Sequence, residues 1–359
     1  MGFKVSATRR EGAGLPTDTR KPLSDRFAAL FVGLIVALSV SFIVSIGTSR
    51  TVRAATAPAY TDSDYVESLN YGNWNSYGCS EVQAATAAHL TTISVILDFG
   101  QPTDSGGHYG TTIYGAGTFA VWDSNGLGIR AVIVQFLDGY WNCHTTSSPF
   151  MTLIVGVSAI YSKINYSTYE NAYWMGEVVT AEDTWLQNTG YISLMYTDAG
   201  SDTETSSSYA TYSYVSSYLG KEYATDPNNF IFDFGDAGSC PTGSYSATGK
   251  CANWTQGQIL DLSWQEIYAL PLPEDYNTVQ AQAQQWYWLS IGSIRTGDGP
   301  IRFDGELTQY QACQQRGGCS GTNNLPSTGW SFLYNEIWSN TSTRPGDVMW
   351  WSDDIRYIG

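Results

Sequence analysis

Apolar or aromatic runs in this chain repeatedly end in an aspartate followed at once, or one residue later, by glycine. The pattern occurs at Ile93–Gly100, Ile129–Gly139, Tyr191–Gly200, Phe230–Gly235, its continuation Asp236–Gly238, and Ile301–Gly305. Strands buried on both faces of a parallel sheet read as continuous apolar runs. A carboxylate with a turn at the C-terminal end of such a strand is where α/β barrels keep their functional groups. The pattern thus points to an α/β fold with acids collected at one end of its strands.

Strand candidates start near residues 69, 93, 130, 151, 191, 229, 265 and 301. Most intervals are about 35–40 residues, the length of a strand–helix unit. Helical patterns fall between them, at Ser80–Thr91, Tyr169–Leu186, Ser208–Leu219, Thr278–Leu289 and Thr328–Trp338. The expected fold is a (β/α)8 TIM-like barrel. The interval from 130 to 151 leaves little room for a helix, so one unit is expected to be degenerate. A two-domain or doubly wound sheet is the structural alternative.

Residues 27–47 carry no charge, a stretch long enough to span a bilayer. Basic residues dominate the segment before it, which predicts a cytoplasmic tail over 1–26 and an exported remainder. A cleaved signal segment is the other reading, with Ala55-Thr56-Ala57 as an acceptable cleavage site. A small-residue linker is expected over 48–66 and the main domain over 67–359.

All six cysteines follow the apolar segment, as suits disulfides in an exported domain. Proximity suggests Cys240 with Cys251 and Cys313 with Cys319, which leaves Cys79 for Cys143. Fifteen connectivities are possible. With no C-x-x-C and three histidines, neither a metal site nor a cofactor is implied.

Of 33 acids and 17 bases, thirty acids and nine bases follow Pro58. Such a surface repels nucleic acid and anionic lipid. The 25 tyrosines and 13 tryptophans could stack on sugar rings, although many secreted proteins share this composition without binding glycans.

Asp202-Thr203-Glu204 is the sharpest candidate site. Residues i and i+2 of an extended chain face the same side, and neighbouring carboxylates raise each other's pKa. One can then stay protonated while the other is charged, which glycosidic cleavage requires. Asp98 and Asp233 sit inside apolar runs, where an unpaired carboxylate is expensive; they meet a ligand at the barrel mouth or bond to backbone. Asp138 followed by Tyr140 and Trp141, the strand-end Trp74, and Asp236 are candidates for substrate binding. Glu274 lines the mouth or serves as an acid at a helix N-terminus, the latter being favoured. The chain has no G-x-S-x-G elbow, P-loop, G-x-G-x-x-G or H-E-x-x-H motif.

The runs Ala199–Glu204, Phe232–Pro241, Cys251–Thr255 and Pro271–Tyr276 with Gln285-Trp286 resemble strand-end motifs of secreted bacterial TIM-barrel proteins related to glycoside hydrolases. The resemblance spans about Tyr71 to Gln309. Lysozyme-type glycosidase barrels carry a comparable D-x-E, which would map onto Asp202 and Glu204. They also place an aspartate at the end of their first strand, where Tyr71–Asn75 offers asparagines instead. The resemblance implies an exported domain acting on a glycan such as a cell-wall polysaccharide. Glu204 would be the general acid, Asp202 would tune it, and Asp98 or Asp233 would supply a second carboxylate. The alternative is a non-catalytic glycan-binding or structural envelope protein on the same scaffold.

Overall fold

The computed structural model describes residues 55–70, 73–115, 117–123, 127–158, 166–205, 210–266 and 268–359. The apolar segment 27–47 and the tail before it lie outside them. Among the described residues, no helix is long and apolar enough to cross a membrane.

Eight parallel strands form one curled sheet: β1 (Thr61–Val66), β2 (Thr92–Asp98), β3 (Phe150–Val157), β4 (Met195–Ser201), β5 (Ile231–Asp233), β6 (Ala269–Pro271), β7 (Leu307–Thr308) and β8 (Asp353–Ile358). Their order across the sheet is β6-β5-β4-β3-β2-β1-β8-β7. The edge strands β6 and β7 approach through one parallel bridge, Glu274 to Leu307. There Leu307 N donates to Pro273 O and Asp275 N to Leu307 O. The architecture is mixed α/β and TIM-like.

Helices α1 (Trp74–Ala87), α2 (Ile129–Cys143), α3 (Tyr166–Thr189), α4 (Tyr212–Thr225), α5 (Gln256–Leu260), α6 (Ala281–Thr296), α7 (Tyr310–Gln315) and α8 (Pro326–Ser339) connect the strands. Side chains alternate across the sheet as the two-residue strand period demands. Ile96, Ile154, Phe232, Leu270, Leu307 and Ile355 gather in the interior. Val95, Leu97, Leu153 and Val155 pack outward with helix residues such as Val132, Phe136 and Trp286.

Three strand expectations need correction. The run at Ile129–Gly139 is helical. Its buried residues Ile129, Val132, Ile133, Phe136, Leu137 and Tyr140 recur at helical spacing, and Gly139 lies against α1, where a Cβ would stand 1.9 Å from Asn75 O. The β-branched residues obscured that period. With α2 present, the unit between β2 and β3 is complete and carries an insertion, an antiparallel sheet of Gln101–Ser105, His108–Thr112 and Phe119–Val121. The first strand starts at Thr61, inside the segment read as linker, and Trp74 begins a helix. The last strand, Asp353–Ile358, carries the short alternating pattern that a search for apolar runs passes over.

The aspartate–glycine motif has a local cause at three sites. Asp98, Asp233 and Asp236 each accept a hydrogen bond through Oδ1 from the amide two residues on, at Gly100, Gly235 and Gly238 (2.8, 3.2 and 2.9 Å). Such turns are a standing preference of aspartate. Gly100 has φ +85° and a Cβ there would lie 2.2 Å from Thr112 O, so the inserted sheet requires glycine.

Cysteines pair as Cys79–Cys143, Cys240–Cys251 and Cys313–Cys319. The first joins α1 to the end of α2 across 64 residues. Replacing both of its cysteines by serine should lower unfolding free energy by about 4 kcal/mol on a loop-entropy basis. A denaturant titration of the non-reduced protein checks this. The disulfides are consistent with an exported protein.

Candidate active site

At the C-terminal ends of six strands, and just past the ends of four of them, the inward register delivers side chains to one space. Ser63 leads to Tyr65, Gly200 to Asp202 and Glu204, Phe234 to Asp236, Leu272 to Glu274 and Tyr276, Leu307 to Gln309, and Ile355 to Tyr357. All eight end-points line one cavity of about 570 Å³. Tyr114, from the inserted sheet, and Gln285, from α6, complete much of its wall.

Three carboxyl groups dominate its chemistry. Asp202, Glu204 and Glu274 each present an oxygen within 4.8 Å of the others. Asp202 N donates to Val157 O (2.9 Å), which extends the β3–β4 ladder one step and aims this acid inward. Glu274 N donates to Gly235 O (3.2 Å), which fixes it across from Asp202. Burial is the largest cause raising each pKa, and the neighbouring acids add to it. Asp202 and Glu274 are pushed well above the carboxylate range, and Glu204, the least enclosed, rises to about 7. Three carboxyls this close cannot all ionise at neutral pH. Glu204, the least enclosed of the three, meets the smallest burial penalty against ionising. Asp202 Oδ1 is buried without a hydrogen-bond partner.

Tyrosines form the facing wall. Tyr65 lies 4.6 Å from Tyr114 and 5.2 Å from Tyr357 between ring centroids, and its hydroxyl is 3.3 Å from that of Tyr276. At the rim the Arg316 guanidinium stacks 4.0 Å from the Tyr357 ring and pairs with Glu67.

Other residues singled out from sequence fall in several places. Asp236 lines the cavity. Asp98 stands behind the wall: its Oδ2 accepts from Tyr114 Oη (2.9 Å), Ser158 Oγ approaches at 3.2 Å, and burial raises it to about 6. Asp233 points the other way, accepting from Ser263 Oγ and Gly235 N, outside the cavity lining. Trp74 is buried at the start of α1, edge-on to Tyr77, and does not reach the cavity. Asp138, Tyr140 and Trp141 sit late on α2, just before β3 begins and so toward the opposite end of the sheet. There Tyr140 Oη donates to Pro149 O (2.9 Å), and Trp141 stacks on Tyr191 at 4.2 Å. Placing these three at a strand end followed from reading α2 as a strand. Of the asparagine stretch, Tyr71 and Gly72 lie outside the described residues, and Asn73 and Asn75 belong to the start of α1.

Glu274 and the tyrosines were the residues sequence reasoning undervalued. The helix after Glu274 starts only at Ala281, so this acid belongs to the strand end. The signal was the alternation Leu270, Leu272, Glu274, Tyr276.

Fold and cavity together define a TIM-like α/β protein with a carboxylate cluster at the C-terminal ends of its strands. No family model and no curated protein matches the chain. Solved structures similar to it include the endo-β-1,4-mannanase from Thermotoga petrophila, at 8% identity and TM-score 0.41 over 84% of this chain and 68% of that one. The endo-1,4-β-mannanase from Rhizomucor miehei is similar at 9% identity and TM-score 0.39, over 86% and 87%. A spore coat polysaccharide biosynthesis protein from Bacillus subtilis is similar at 10% identity and TM-score 0.32, over 84% and 75%.

Proposed function

We propose that this protein is an exported glycoside hydrolase on a (β/α)8 barrel, acting on cell-wall or extracellular polysaccharide. The observation that carries the reading is the carboxyl trio at the strand ends, with oxygens within 4.8 Å of one another and tyrosine rings facing them. Retaining hydrolysis uses carboxyl groups about 5–5.5 Å apart, inverting hydrolysis about 6.5–9.5 Å. The spacing here supports the retaining route.

The unequal enclosure of the three acids, with Glu204 the most open to solvent, supports a division of roles opposite to the one expected from sequence. Glu204, as carboxylate, attacks the anomeric carbon while the bond to the leaving oxygen breaks. Glu274 gives its proton to that oxygen. Water then releases the sugar from Glu204, with Glu274 taking back a proton. Asp202 lies beside both and, by repulsion, keeps a proton on the cluster. Asp98 acts through Tyr114 as a positioning residue. The tyrosine wall offers apolar ring faces to a pyranose.

Release of reducing ends from a panel of polysaccharides tests the activity, and leaving-group dependence tests the roles. Glu274→Gln should regain turnover on an activated aryl glycoside that needs no proton, while Glu204→Gln should not. Loss on both substrates in both variants would contradict the assignment. For the wild type, kcat/KM should rise as pH passes through about 7, where Glu204 ionises. A rate that falls through that window would return the acid role to Glu204.

A further inference from the structure

We propose that the cavity selects a glycan carrying a free amine, a de-N-acetylated amino sugar, over its neutral N-acetylated counterpart. The inference rests on the glycan reading above and names its substrate class.

Two independent observations carry it. The first is the charge of the wall: Asp202, Glu204, Asp236 and Glu274 line it, and among the described residues no lysine, arginine or histidine does. The nearby Arg316 is engaged by Glu67 and Tyr357. The second is Gln285, which is only 6% exposed and lies on the cavity wall. Its Nε2 donates to Cys240 O (3.0 Å), and that bond fixes which end of the amide is which. Its Oε1 is then an acceptor, buried and without a partner. A buried acceptor left unpaired costs about 1–3 kcal/mol, so a ligand that donates there is favoured.

The unmet atoms are thus Gln285 Oε1, which can only accept, and Asp202 Oδ1, beside acids that become acceptors as they give up their protons. An ammonium on a sugar ring supplies three donors and a positive charge. An acetamido group supplies one donor, no charge and a carbonyl that would face the acids. A uronic or muramic acid carboxylate would be repelled outright. The cavity, at about 570 Å³, is far larger than a bare cation needs, and its tyrosine wall suits a ring rather than an ion.

Isothermal titration of the protein with chitosan oligosaccharides and with chitin oligosaccharides of equal length is the test. The amine oligomer should bind about tenfold or more tightly. Its affinity should fall with added salt. Binding should release protons, since an ammonium displaces them from the acids; titration in buffers of different ionisation heat reads this. Asp236→Asn and Gln285→Glu provide opposed variants: the first should reduce the preference and the second should increase it. Equal affinity for the two oligomers, or preference for the acetylated one, would overturn the proposal. So would saturable binding of Ca²⁺ alone that blocks the amine oligomer, because the acids would then form a metal site. The readout is binding, so its failure is separable from a failure of hydrolysis, which is scored on neutral polysaccharides.

Discussion

Glu204→Gln is expected to reduce glycan hydrolysis by a factor of about 10²–10⁴ or more, the range for removing a positioned acid–base or nucleophilic group. The fold should survive, because the change removes charge from a crowded cluster and keeps the side chain's shape. Desolvation and the neighbouring Asp236 and Asp233 already disfavour a carboxylate at this position. The thermal midpoint of the variant at neutral pH should therefore equal or exceed that of the wild type. A lower midpoint with a proportionate loss of activity would mean the residue is structural. Unchanged activity would remove Glu204 from the chemistry.

The second large effect is on stability. Buried carboxyl groups are abundant outside the cavity too, and burial raises most of them. Asp64 and Asp353 rise to about 7, Glu81 to about 8 and Glu182 to about 7. Burial also pushes Asp275 and Glu306 well above the carboxylate range, and a neighbouring acid adds to each. Both carboxyl oxygens of Asp275 and Oε2 of Glu306 are buried without hydrogen-bond partners. A folded-state pKa above the unfolded value means that the folded state binds more protons between the two. Stability is then fully present below the unfolded carboxylate pKa and is lost as pH rises through the folded values. Each such group contributes a slope of up to about 1.4 kcal/mol per pH unit in that window.

The urea midpoint should accordingly be higher in mild acid than in mild alkali, the loss accumulating from the ordinary carboxylate pKa of about 4 up to the folded values of about 7 to 8. Glu306→Gln should recover stability at the alkaline end and change little at the acid end, because Ser352 Oγ can still donate to the retained carbonyl oxygen at the Oε1 position (2.9 Å in the wild type). A profile that rises with pH, or a Glu306→Gln benefit equal at both ends, would contradict this view of the buried acids.

The parallel sheet was legible in the sequence because its central strands, such as Ile93–Asp98 and Met151–Val157, are apolar on both faces. The short strands β6 and β7 and the alternating β8 carry less of that signal. Ile129–Cys143 misled for a physical reason: its β-branched residues favour strands locally, yet their three- and four-residue spacing buries one helical face against α1 and the sheet. Tertiary packing outweighs propensity there. The Asp202/Glu204 pair was visible because i and i+2 share a face. Glu274 was obscured by the prolines around it, which suit a helix start as well as a strand end. Its partnership with Asp202 depends on β4 and β6 both delivering inward registers at the same height, a relation between segments about seventy residues apart that no local pattern encodes. The motif that first suggested the fold divides in the same way. Asp98, Asp233 and Asp236 all close turns through the following glycine amide, yet Asp236 alone of the three reaches the cavity lining.

The most direct test of the central claim is proton NMR of the protein mixed with neutral polysaccharides, following each new reducing end as it forms. Cleavage should appear, and the first product should keep the anomeric configuration of its substrate, the outcome favoured by acids whose nearest oxygens lie within 4.8 Å of one another. Binding without any cleavage would contradict the enzymatic reading and leave a glycan-binding protein on a hydrolase-like scaffold; an inverted first product would contradict the pairing of Glu204 with Glu274.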